Sequence, residues 1–258
     1  MARQTALVTG ASSGIGRDLA LQFAAGGYDL VVVARRPAPL DDLVADVERL
    51  HGVAASAIAA DLAAPSAAQT LYDALDRAGR RIDVVVNNAG FGLGGAVAAL
   101  PLDKQLEMVQ VNVTVLTALT RLFLPGMLER NQGGILNVGS TAGFQPGPFM
   151  SVYYATKAYV LAFTEGLAEE VAGSDLRISC LCPGPTATGF AEAAQITNVN
   201  LFRRGGTMTA ADVARIGYDG WKNRKVVVIP GLSNRVGVML PRISPRSLVR
   251  KIVKRLNT

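Results

Sequence analysis

Short apolar runs rich in β-branched residues alternate along the chain with longer amphipathic stretches. Strands are predicted at residues 5–8, 29–33, 54–59, 82–86, 134–138, 176–181 and 225–229. Helices are predicted at residues 15–25, 40–51, 66–78, 102–130, 152–172 and 210–222, the last opened by a capping box of Thr209 and Asp212. The strands are continuously apolar, as expected when helices cover both faces of a parallel sheet. The alternation predicts an α/β fold: a doubly wound, mostly parallel seven-stranded sheet with a ligand at the carboxyl ends of its strands.

Length and composition favour a single domain. With 258 residues, 50% of them apolar, the chain can build one large core, whereas two domains would each be small. We expect residues 1–241 to form this domain and residues 242–258 to be a basic, amphipathic extension of it. The first ten residues leave no room for a signal peptide, and 18 consecutive apolar residues occur nowhere. The prediction is a cytoplasmic protein without a membrane-spanning helix.

The sequence contains few residues that could bind a metal ion or form a disulfide bond. Cys180 and Cys182 are the only cysteines and lie two apart in a predicted strand, where a bridge between them is disfavoured, so buried free thiols are predicted. His51 is the only histidine. We therefore predict no metal site and exclude a histidine-based catalytic triad.

A glycine-rich loop follows the first predicted strand and opens the first helix. Its sequence from Thr9 to Gly16 is Thr-Gly-Ala-Ser-Ser-Gly-Ile-Gly. Glycines allow a tight turn and a close approach of the backbone to a ligand, and free amides at a helix N-terminus favour a phosphate. The placement between strand and helix predicts a dinucleotide pyrophosphate site rather than a plain turn.

The second predicted strand ends in two arginines, Arg35 and Arg36, at the place where enzymes that prefer an unphosphorylated ribose usually carry an acid. No acid follows until Asp41. A guanidinium can hold a 2′-phosphate in a bidentate fork, and Arg17 is placed to help. The pattern favours NADP(H) over NAD(H). The alternative is a solvated loop with two surface arginines.

Tyr153 and Lys157 are four residues apart in a predicted helix, so their side chains share one face. A phenol ionises near pH ~10 and needs a neighbouring cation to work as an acid-base group at neutral pH. The spacing alone is common by chance, and a surface helix with an exposed lysine is the alternative. Tyr154 also lies within a turn of Lys157.

Taken with these motifs, further segments make the chain resemble the short-chain dehydrogenase/reductase family over about residues 5–231. They are Asp61-Leu62 after the third strand, Asn87-Asn88-Ala89-Gly90 after the fourth, Asn112 in a helix, Ser140 after the fifth, and Pro183-Gly184 after the sixth. Jointly and in this order they are far more specific than any one of them. The resemblance implies a Rossmann fold and an NADP(H)-dependent oxidoreductase that interconverts a ketone and a secondary alcohol.

The resemblance also implies a role for each matching residue. Tyr153 would be the acid and base, Ser140 would hydrogen-bond the substrate oxygen, and its offset of thirteen residues favours Tyr153 over Tyr154. Lys157 would favour the phenolate and bind the nicotinamide ribose, and Asn112 would fix a water linking Lys157 to solvent. For Asn112 the alternative is a helix residue that bonds only to backbone.

A larger set of residues is implied to hold the cofactor. Asp61 would meet the adenine, residues 88–90 would flank the adenosine, and residues 183–188 would hold the nicotinamide end. The implied cofactor-binding residues are Gly10, Ser12, Ser13, Gly14, Ile15, Gly16, Arg35, Arg36, Asp61, Leu62, Asn88, Ala89, Gly90, Tyr153, Lys157, Pro183, Gly184, Thr186 and Thr188.

The C-terminal end departs from the commonest family pattern. Many members end in a glycine-rich segment at a tetramer axis, whereas here Val-Ile-Pro-Gly is followed by about twenty-five further residues. This ending is similar to that of bacterial reductases with a basic C-terminal helix. A homodimer or homotetramer is expected, with the usual tetramer contact in question.

The formal charge of +6 is concentrated in this extension. Six cations and no acid lie in residues 242–258, and the rest of the chain carries 20 basic and 20 acidic residues. A helix after Ser244-Pro245 is predicted to be amphipathic. Its apolar face would hold Leu248, Val249, Ile252, Val253 and Leu256, and its other face Arg246, Arg250, Lys251, Lys254 and Arg255. Its partner would be an anionic membrane surface, an acyl-carrier or coenzyme-A phosphate, or the body of the protein or a partner subunit. Nucleic acid is not expected, because no aromatic or glycine-rich binding face accompanies the charge.

An apolar substrate pocket is implied by a lid near residues 188–206. The lid holds Phe190, Ile196, Val199, Leu201 and Phe202, and Phe91, Leu93, Phe144, Pro146, Phe149 and Met150 would face it. These residues predict a small-molecule carbonyl or alcohol substrate that is a hydrophobic ketone or a 3-oxoacyl compound. The alternative to an enzyme is a non-catalytic NADP-binding regulatory protein, which would have no need of Ser140, Tyr153, Lys157 and Asn112 together.

Overall fold

The computed structural model describes residues 3–194 and 207–257. Within them the strands are β1 (Thr5–Thr9), β2 (Asp29–Ala34), β3 (Ala55–Ala59), β4 (Val84–Asn87), β5 (Gly134–Val138), β6 (Arg177–Leu181), β7 (Thr186–Ala187), β8 (Met208–Thr209) and β9 (Val227–Val228). The helices are α1 (Gly14–Ala25), α2 (Ala38–His51), α3 (Ala67–Arg77), α4 (Leu102–Val109), α5 (Leu116–Glu129), α6 (Ser151–Glu170), α7 (Phe190–Ala193), α8 (Ala210–Lys222), α9 (Leu232–Ile243) and α10 (Arg246–Asn257). A π-helical segment, Gln110–Val115, joins α4 to α5, and a 3₁₀ turn, Thr141–Phe144, follows β5.

Seven strands form one parallel sheet in the order β3-β2-β1-β4-β5-β6-β9. This confirms the predicted α/β fold with a doubly wound seven-stranded sheet. The strand order reverses between β1 and β4, so their carboxyl ends border a crevice where a ligand can enter. The short strands β7 and β8 pair separately, beyond β6.

The core lies on both faces of the sheet because successive strand residues point to opposite sides. Ala6 and Val8 of β1 belong to the cluster shared with α1, α2 and α8. Leu7, between them, belongs to the cluster shared with α3, α5 and α6. A strand buried on both sides carries no polar alternation, which is why its sequence is a continuous apolar run.

One helical stretch in the described part of the chain, Leu102–Glu129, is long and apolar enough to cross a membrane by length and composition. Its inner face is buried in the core, where Leu119 and Met127 are inaccessible to solvent. The core helix of a globular domain passes the same test of length and hydropathy.

Several details differ from the sequence prediction. The short strands β7 and β8 and the one-turn helix α7 were not predicted. The strand expected at 225–229 is confined to Val227–Val228, at the edge of the sheet. The helix expected at 102–130 changes to a π-helical path in its middle. Helix α9 was not predicted, since Gly237 and Pro241 within it weaken its helical signal. The basic helix α10 forms after Pro245 as predicted, with its apolar residues divided between a buried and an exposed stripe.

Candidate active site

A cleft of about 840 Å³ opens at the carboxyl ends of the parallel strands. Its volume lies within the range of small-molecule sites in proteins. The cleft brings together all of the predicted cofactor-binding residues and three of the four predicted catalytic residues, Ser140, Tyr153 and Lys157. The fourth, Asn112, lies directly behind it.

The glycine loop occupies one end of the cleft and fits a dinucleotide phosphate. Gly10 and Gly14 have positive φ angles of 66° and 55°, which side chains with a Cβ rarely adopt. Ser13 precedes α1 without capping it through its side chain, so the first amides of the helix stay available to an anion. A methyl group at Gly16 would collide with the backbone of Gly10 and the amide of Asn88.

Thr9 and Asn88 tie this loop to the end of β4. The buried Thr9 hydroxyl accepts hydrogen bonds from the backbone N–H groups of Asn88 and Ala89, at 3.0 and 3.1 Å. Asn88 Nδ2 donates in return to the carbonyl oxygens of Thr9 and Gly10. Asn88 therefore fixes the conformation of the glycine loop through its side chain. Thr9 is a positioning residue that the sequence analysis missed, because its only signal was its place in the glycine motif.

Arg35 and Arg36 line the cleft at the end of β2 and are exposed. Asp61 and Leu62 line the same end, and Asp61 Oδ1 accepts from the backbone N–H of Ala63 at 3.0 Å, which fixes the turn. Arg17 is directed elsewhere, with its Nη2 2.7 Å from Asp46 Oδ2 on α2. The suggestion that Arg17 helps to bind a 2′-phosphate is therefore not supported by its position.

Ser140, Tyr153 and Lys157 converge in the middle of the cleft. Ser140 ends β5 and begins the 3₁₀ turn, its Oγ accepting from the backbone N–H of Ala142 at 3.1 Å. Tyr153 and Lys157 lie one turn apart on α6 and are both buried, with Lys157 Nζ 5.8 Å from the centre of the Tyr153 ring. Lys157 Nζ donates to the carbonyl oxygen of Val138 at 2.8 Å. The surface-helix alternative for this pair is thereby excluded.

The neighbouring Tyr154 has a different environment. Its hydroxyl donates to Asn257 Oδ1 of α10 at 3.3 Å, whereas the Tyr153 phenol hydrogen-bonds with Ser140. The two adjacent tyrosines thus have separate partners, and only Tyr153 is paired with the serine.

Burial dominates the ionisation of both central groups. It raises the pKa of Tyr153 well above the ordinary value of 10.0, and the hydrogen bond with Ser140 opposes that rise. Burial also lowers the pKa of Lys157 to about 8, against a smaller raising effect of Cys180 and Cys182. The Tyr153 phenol therefore stays protonated at neutral pH, whereas the pKa of Lys157 lies just above neutral pH.

Asn112 lies in the π-helical segment, and its side chain is fully engaged. Its Oδ1 accepts from the backbone N–H of Phe91 at 3.1 Å, and its Nδ2 donates to the Phe91 carbonyl at 2.9 Å and to Thr156 Oγ1 at 3.1 Å. Both amide protons are therefore used. Asn112 joins the loop after β4 to helix α6. Two of its three hydrogen bonds go to the backbone of Phe91, which favours the alternative of a helix residue that bonds to backbone.

The segment after β6 closes the other side of the cleft. Pro183, Gly184, Thr186 and Thr188 all line it, and a methyl group at Gly14 would lie 3.2 Å from Thr188 Cγ2. A side chain at Gly184 would collide with the amide of Asn234 on α9. Asn234 was missed from sequence because α9 itself was not predicted.

Part of the predicted apolar wall is present. Phe91, Met150 and Phe190 line the cleft, and the Phe190 ring lies 5.4 Å from that of Tyr153. Phe144 packs instead against a separate buried cluster that includes Cys180 and Cys182, and Phe149 lies against Lys254. Leu93 and Pro146 are likewise not among its lining residues. The predicted lid residues Ile196, Val199, Leu201 and Phe202 lie outside the described residues.

Cys180 and Cys182 are buried free thiols, as predicted, with their sulfur atoms 3.5 Å apart. Residues 3–194 and 207–257 contain no group of three or more His, Cys, Asp or Glu side chains that could hold a metal ion.

The fold and the cleft define a dinucleotide-binding oxidoreductase. A sequence model described as "short chain dehydrogenase" matches residues 4–198. The chain therefore belongs to the short chain dehydrogenase family, whose members bind a nicotinamide cofactor and act on alcohol and carbonyl groups of small molecules.

Three similar proteins illustrate the match. An "NADP-dependent 3-hydroxy acid dehydrogenase" of Schizosaccharomyces pombe is 32% identical over 232 residues, covering 88% of this chain and 90% of that protein. A "Very-long-chain 3-oxoacyl-CoA reductase" of Coprinopsis cinerea is 36% identical over 170 residues, 64% of this chain and 50% of that protein. A solved short-chain dehydrogenase from Sphingobium yanoikuyae in complex with NADPH superposes with a TM-score of 0.83, at 33% identity and 93% coverage of both chains.

The match to the 3-oxoacyl-CoA reductases is partial. The alignments span about half the length of those curated relatives. They therefore establish the family and not the substrate.

Proposed function

We propose that this protein is an NADP(H)-dependent oxidoreductase that interconverts a hydrophobic ketone, of the 3-oxoacyl class, with the corresponding secondary alcohol. The observation that carries this proposal is the convergence of Ser140, Tyr153 and Lys157 in one cleft between the glycine loop and an apolar wall. A bound nicotinamide dinucleotide supplies the hydride for reduction and takes it up in oxidation.

The protein's own groups bind the substrate oxygen and move the proton. Ser140 Oγ holds the carbonyl oxygen by a hydrogen bond, and the Tyr153 phenol donates its proton to that oxygen as the alkoxide develops. Burial favours the protonated phenol, which is the form that reduction needs. In the oxidative direction the phenolate accepts the hydroxyl proton, and a charged Lys157 stabilises it. Asn112 holds α6 and the Phe91 loop in register around these groups.

The preference for NADP(H) rests on two exposed cations at the adenosine end. Arg35 and Arg36 are the charged groups that the end of β2 offers to a ribose 2′-phosphate, and no carboxylate takes their place. The NADP-dependent relative and the NADPH complex of a solved neighbour support the same preference.

The substrate class rests on the composition of the wall and on two relatives. Phe91, Met150 and Phe190 form an apolar surface beside Tyr153. Relatives whose names specify 3-hydroxy acids and very-long-chain 3-oxoacyl-CoA support a 3-oxoacyl substrate. A homodimer or homotetramer in the cytoplasm remains our expectation for the assembly and its location.

The acid-base role is tested by replacing Tyr153 with phenylalanine. Tyr153→Phe removes the proton donor and keeps the ring packed against Phe190, so NADPH binding should persist while ketone reduction falls by about 10²-fold or more. The measurement is nicotinamide absorbance with a panel of 3-oxoacyl thioesters, aliphatic ketones and sugars, together with a titration of NADPH binding.

The matched control is Tyr154→Phe, which removes the neighbouring hydroxyl. Its partner is Asn257, so reduction should stay within a few-fold of wild type. Equal loss in both variants would show a structural effect. Turnover retained by Tyr153→Phe, or absent from the wild type with every substrate, would favour the alternative of a non-catalytic NADP-binding regulatory protein.

Cofactor preference is tested by Arg35→Ala combined with Arg36→Ala. Removing both guanidinium groups should weaken NADPH binding by roughly tenfold or more and leave NADH binding nearly unchanged, because only NADPH carries the 2′-phosphate. Arg17→Ala is the control, since Arg17 is paired with Asp46 and should not alter the NADPH to NADH ratio. An unchanged ratio in the double variant would contradict the assignment.

A further inference from the structure

Two helices after the last strand, α9 and α10, carry an exposed apolar surface that the proposed reaction does not use. Half of the large exposed apolar side chains among the described residues lie on these two helices. They are Leu232, Val236, Met239, Leu240, Ile243, Leu248 and Ile252. Scattered exposed apolar residues are ordinary, but a concentration of this kind marks an interaction surface.

The exposed residues of α9 form one stripe. Leu232, Val236 and Ile243 follow each other at intervals of four and seven residues and share a helix face with Met239 and Leu240. Leu232 is 76% exposed and Ile243 is 82% exposed. On α9 itself only Val238, on the opposite side of the helix, is buried. The apolar face of α9 is therefore directed away from the protein.

Helix α10 is docked on the body by a different stripe. Val249 and Val253 are buried among Met150, Tyr153 and Tyr154, and Asn257 Nδ2 donates to the carbonyl oxygen of Pro148 at 2.9 Å. Leu248 and Ile252 lie beside this stripe and remain about half exposed. The docking contact thus fixes α10 in place and leaves an apolar edge in solvent.

Positive charge surrounds these apolar residues. The two helices carry seven exposed cations and no acidic residue: Arg235, Arg242, Arg246, Arg250, Lys251, Lys254 and Arg255. Arg235 and Arg242 are seven residues apart on one flank of the α9 stripe. An apolar stripe bordered by cations is the pattern of a helix that lies in a membrane interface.

We propose that α9 and α10 form a membrane-binding surface that docks this protein on an anionic lipid bilayer. The apolar stripe enters the boundary between headgroups and acyl chains, and the cations contact lipid phosphates. A second copy of the chain is a poorer occupant, because a symmetric contact through this face would place cations against cations with no carboxylate to neutralise them. An acidic carrier protein complements the charge but not the apolar residues that project from α9.

This surface adjoins the cleft. The buried stripe of α10 belongs to the same apolar cluster as Met150, Tyr153 and Phe190, which line the substrate side. Docking would therefore hold the cleft near the bilayer and give a hydrophobic substrate a short path from lipid to Tyr153. This last consequence rests on the proposed function, whereas the docking itself does not.

Vesicle co-sedimentation of the full-length protein tests the proposal without substrate or cofactor. We expect binding to vesicles of phosphatidylcholine mixed with phosphatidylglycerol and little binding to phosphatidylcholine alone. Arg242→Gln with Arg246→Gln should weaken the partition coefficient about tenfold to thirtyfold. Leu232→Ser with Ile243→Ser should weaken it by at least about tenfold, since both side chains leave the acyl boundary. Raising the salt from about 0.1 M to about 0.5 M should release the wild type.

Matched control variants remove the same kinds of side chain from parts of the surface outside α9 and α10. Arg121→Gln with Lys222→Gln removes two exposed cations outside these helices, and Leu50→Ser removes an exposed leucine on α2. Both controls should bind vesicles as the wild type does, and all variants should keep turnover of a water-soluble ketone, so loss of docking is distinguished from loss of the enzyme.

Three outcomes would overturn the proposal. They are absence of binding to anionic vesicles, equal binding to both kinds of vesicle, and unchanged binding by both helix variants. A dimer that dissociates in Leu232→Ser with Ile243→Ser, without vesicle binding, would instead identify a second copy as the occupant. Binding of an acidic carrier protein alone would identify that partner.

Discussion

Gly16 lies where the start of α1 packs against the glycine loop and against Asn88, the residue that follows β4. An added methyl group there would strike the Gly10 carbonyl and the Asn88 amide, which is itself held by two backbone acceptors. Neither neighbour can yield without changing the shape of the loop. The need for glycine at this position is therefore steric, whereas at Gly10 and Gly14 it is also conformational.

Gly16→Ala should weaken NADPH binding by at least roughly tenfold, because the loop must open to admit the methyl group. Gly166→Ala, the same change on α6 with no atom within 4 Å of the added carbon, should leave binding unchanged. It should also stabilise the helix by about 0.5–1 kcal/mol. Fluorescence titration with NADPH and urea unfolding of both variants check this. Equal affinities in the two variants would contradict it.

The residues predicted to be catalytic illustrate how far single positions can be predicted from sequence. Ser140, Tyr153 and Lys157 are found together because their chemistry requires particular residue types at strand ends and on one helix face. Thr9 and the carbonyl of Val138 were missed because they act through hydrogen bonds that any polar residue or backbone group can make. Their partners are set by strand pairing, which local sequence does not specify.

At the scale of elements, helical periodicity and runs of apolar residues predict most of the fold. Every strand of the large sheet, and helices α1 to α6 and α8, follow from buried apolar runs and helical periodicity, because both faces of the sheet must be covered. The π-helical segment has no such signal, because its six residues, Gln110–Val115, are too few to show a periodicity of their own. It places Asn112 toward both Phe91 and Thr156, so a local irregularity of the backbone serves the site.

The C-terminal helix α10 shows what apolar periodicity does not predict. The periodicity of α10 predicted a single apolar face, yet Val249 and Val253 are buried while Leu248 and Ile252 are exposed. The buried stripe also includes a polar residue, Asn257, whose side chain pairs with Tyr154 and Pro148. Amphipathicity locates a helix face, but the shape of the body decides which part of that face is covered.

For the whole molecule, the buried ammonium of Lys157 links folding stability to pH. Its pKa is about 8 in the folded protein and near 10.5 in an unfolded chain. Between these values the unfolded chain holds a proton that the folded protein has released. Stability therefore rises with pH across this window, and below it the full cost of burying the charge is present.

The comparison of Lys157 with Lys157→Met isolates this contribution. From about pH 7.5 to about pH 9.5 the protein with Lys157 should gain roughly 1–2 kcal/mol of unfolding free energy relative to the methionine variant. Cys180 and Cys182 interact electrostatically with Lys157, and the pKa of Cys180 is lowered by its hydrogen bond with Cys182, so both proteins carry Cys180→Ala and Cys182→Ala to remove the thiols. Urea unfolding followed by circular dichroism gives the free energies. If the difference is flat, or if it falls as pH rises, Lys157 is not a buried cation of lowered pKa. The ammonium would then be solvated well enough to keep an ordinary pKa and stay charged over this range, so the burial account of Lys157 would fail while its support of a Tyr153 phenolate would stand.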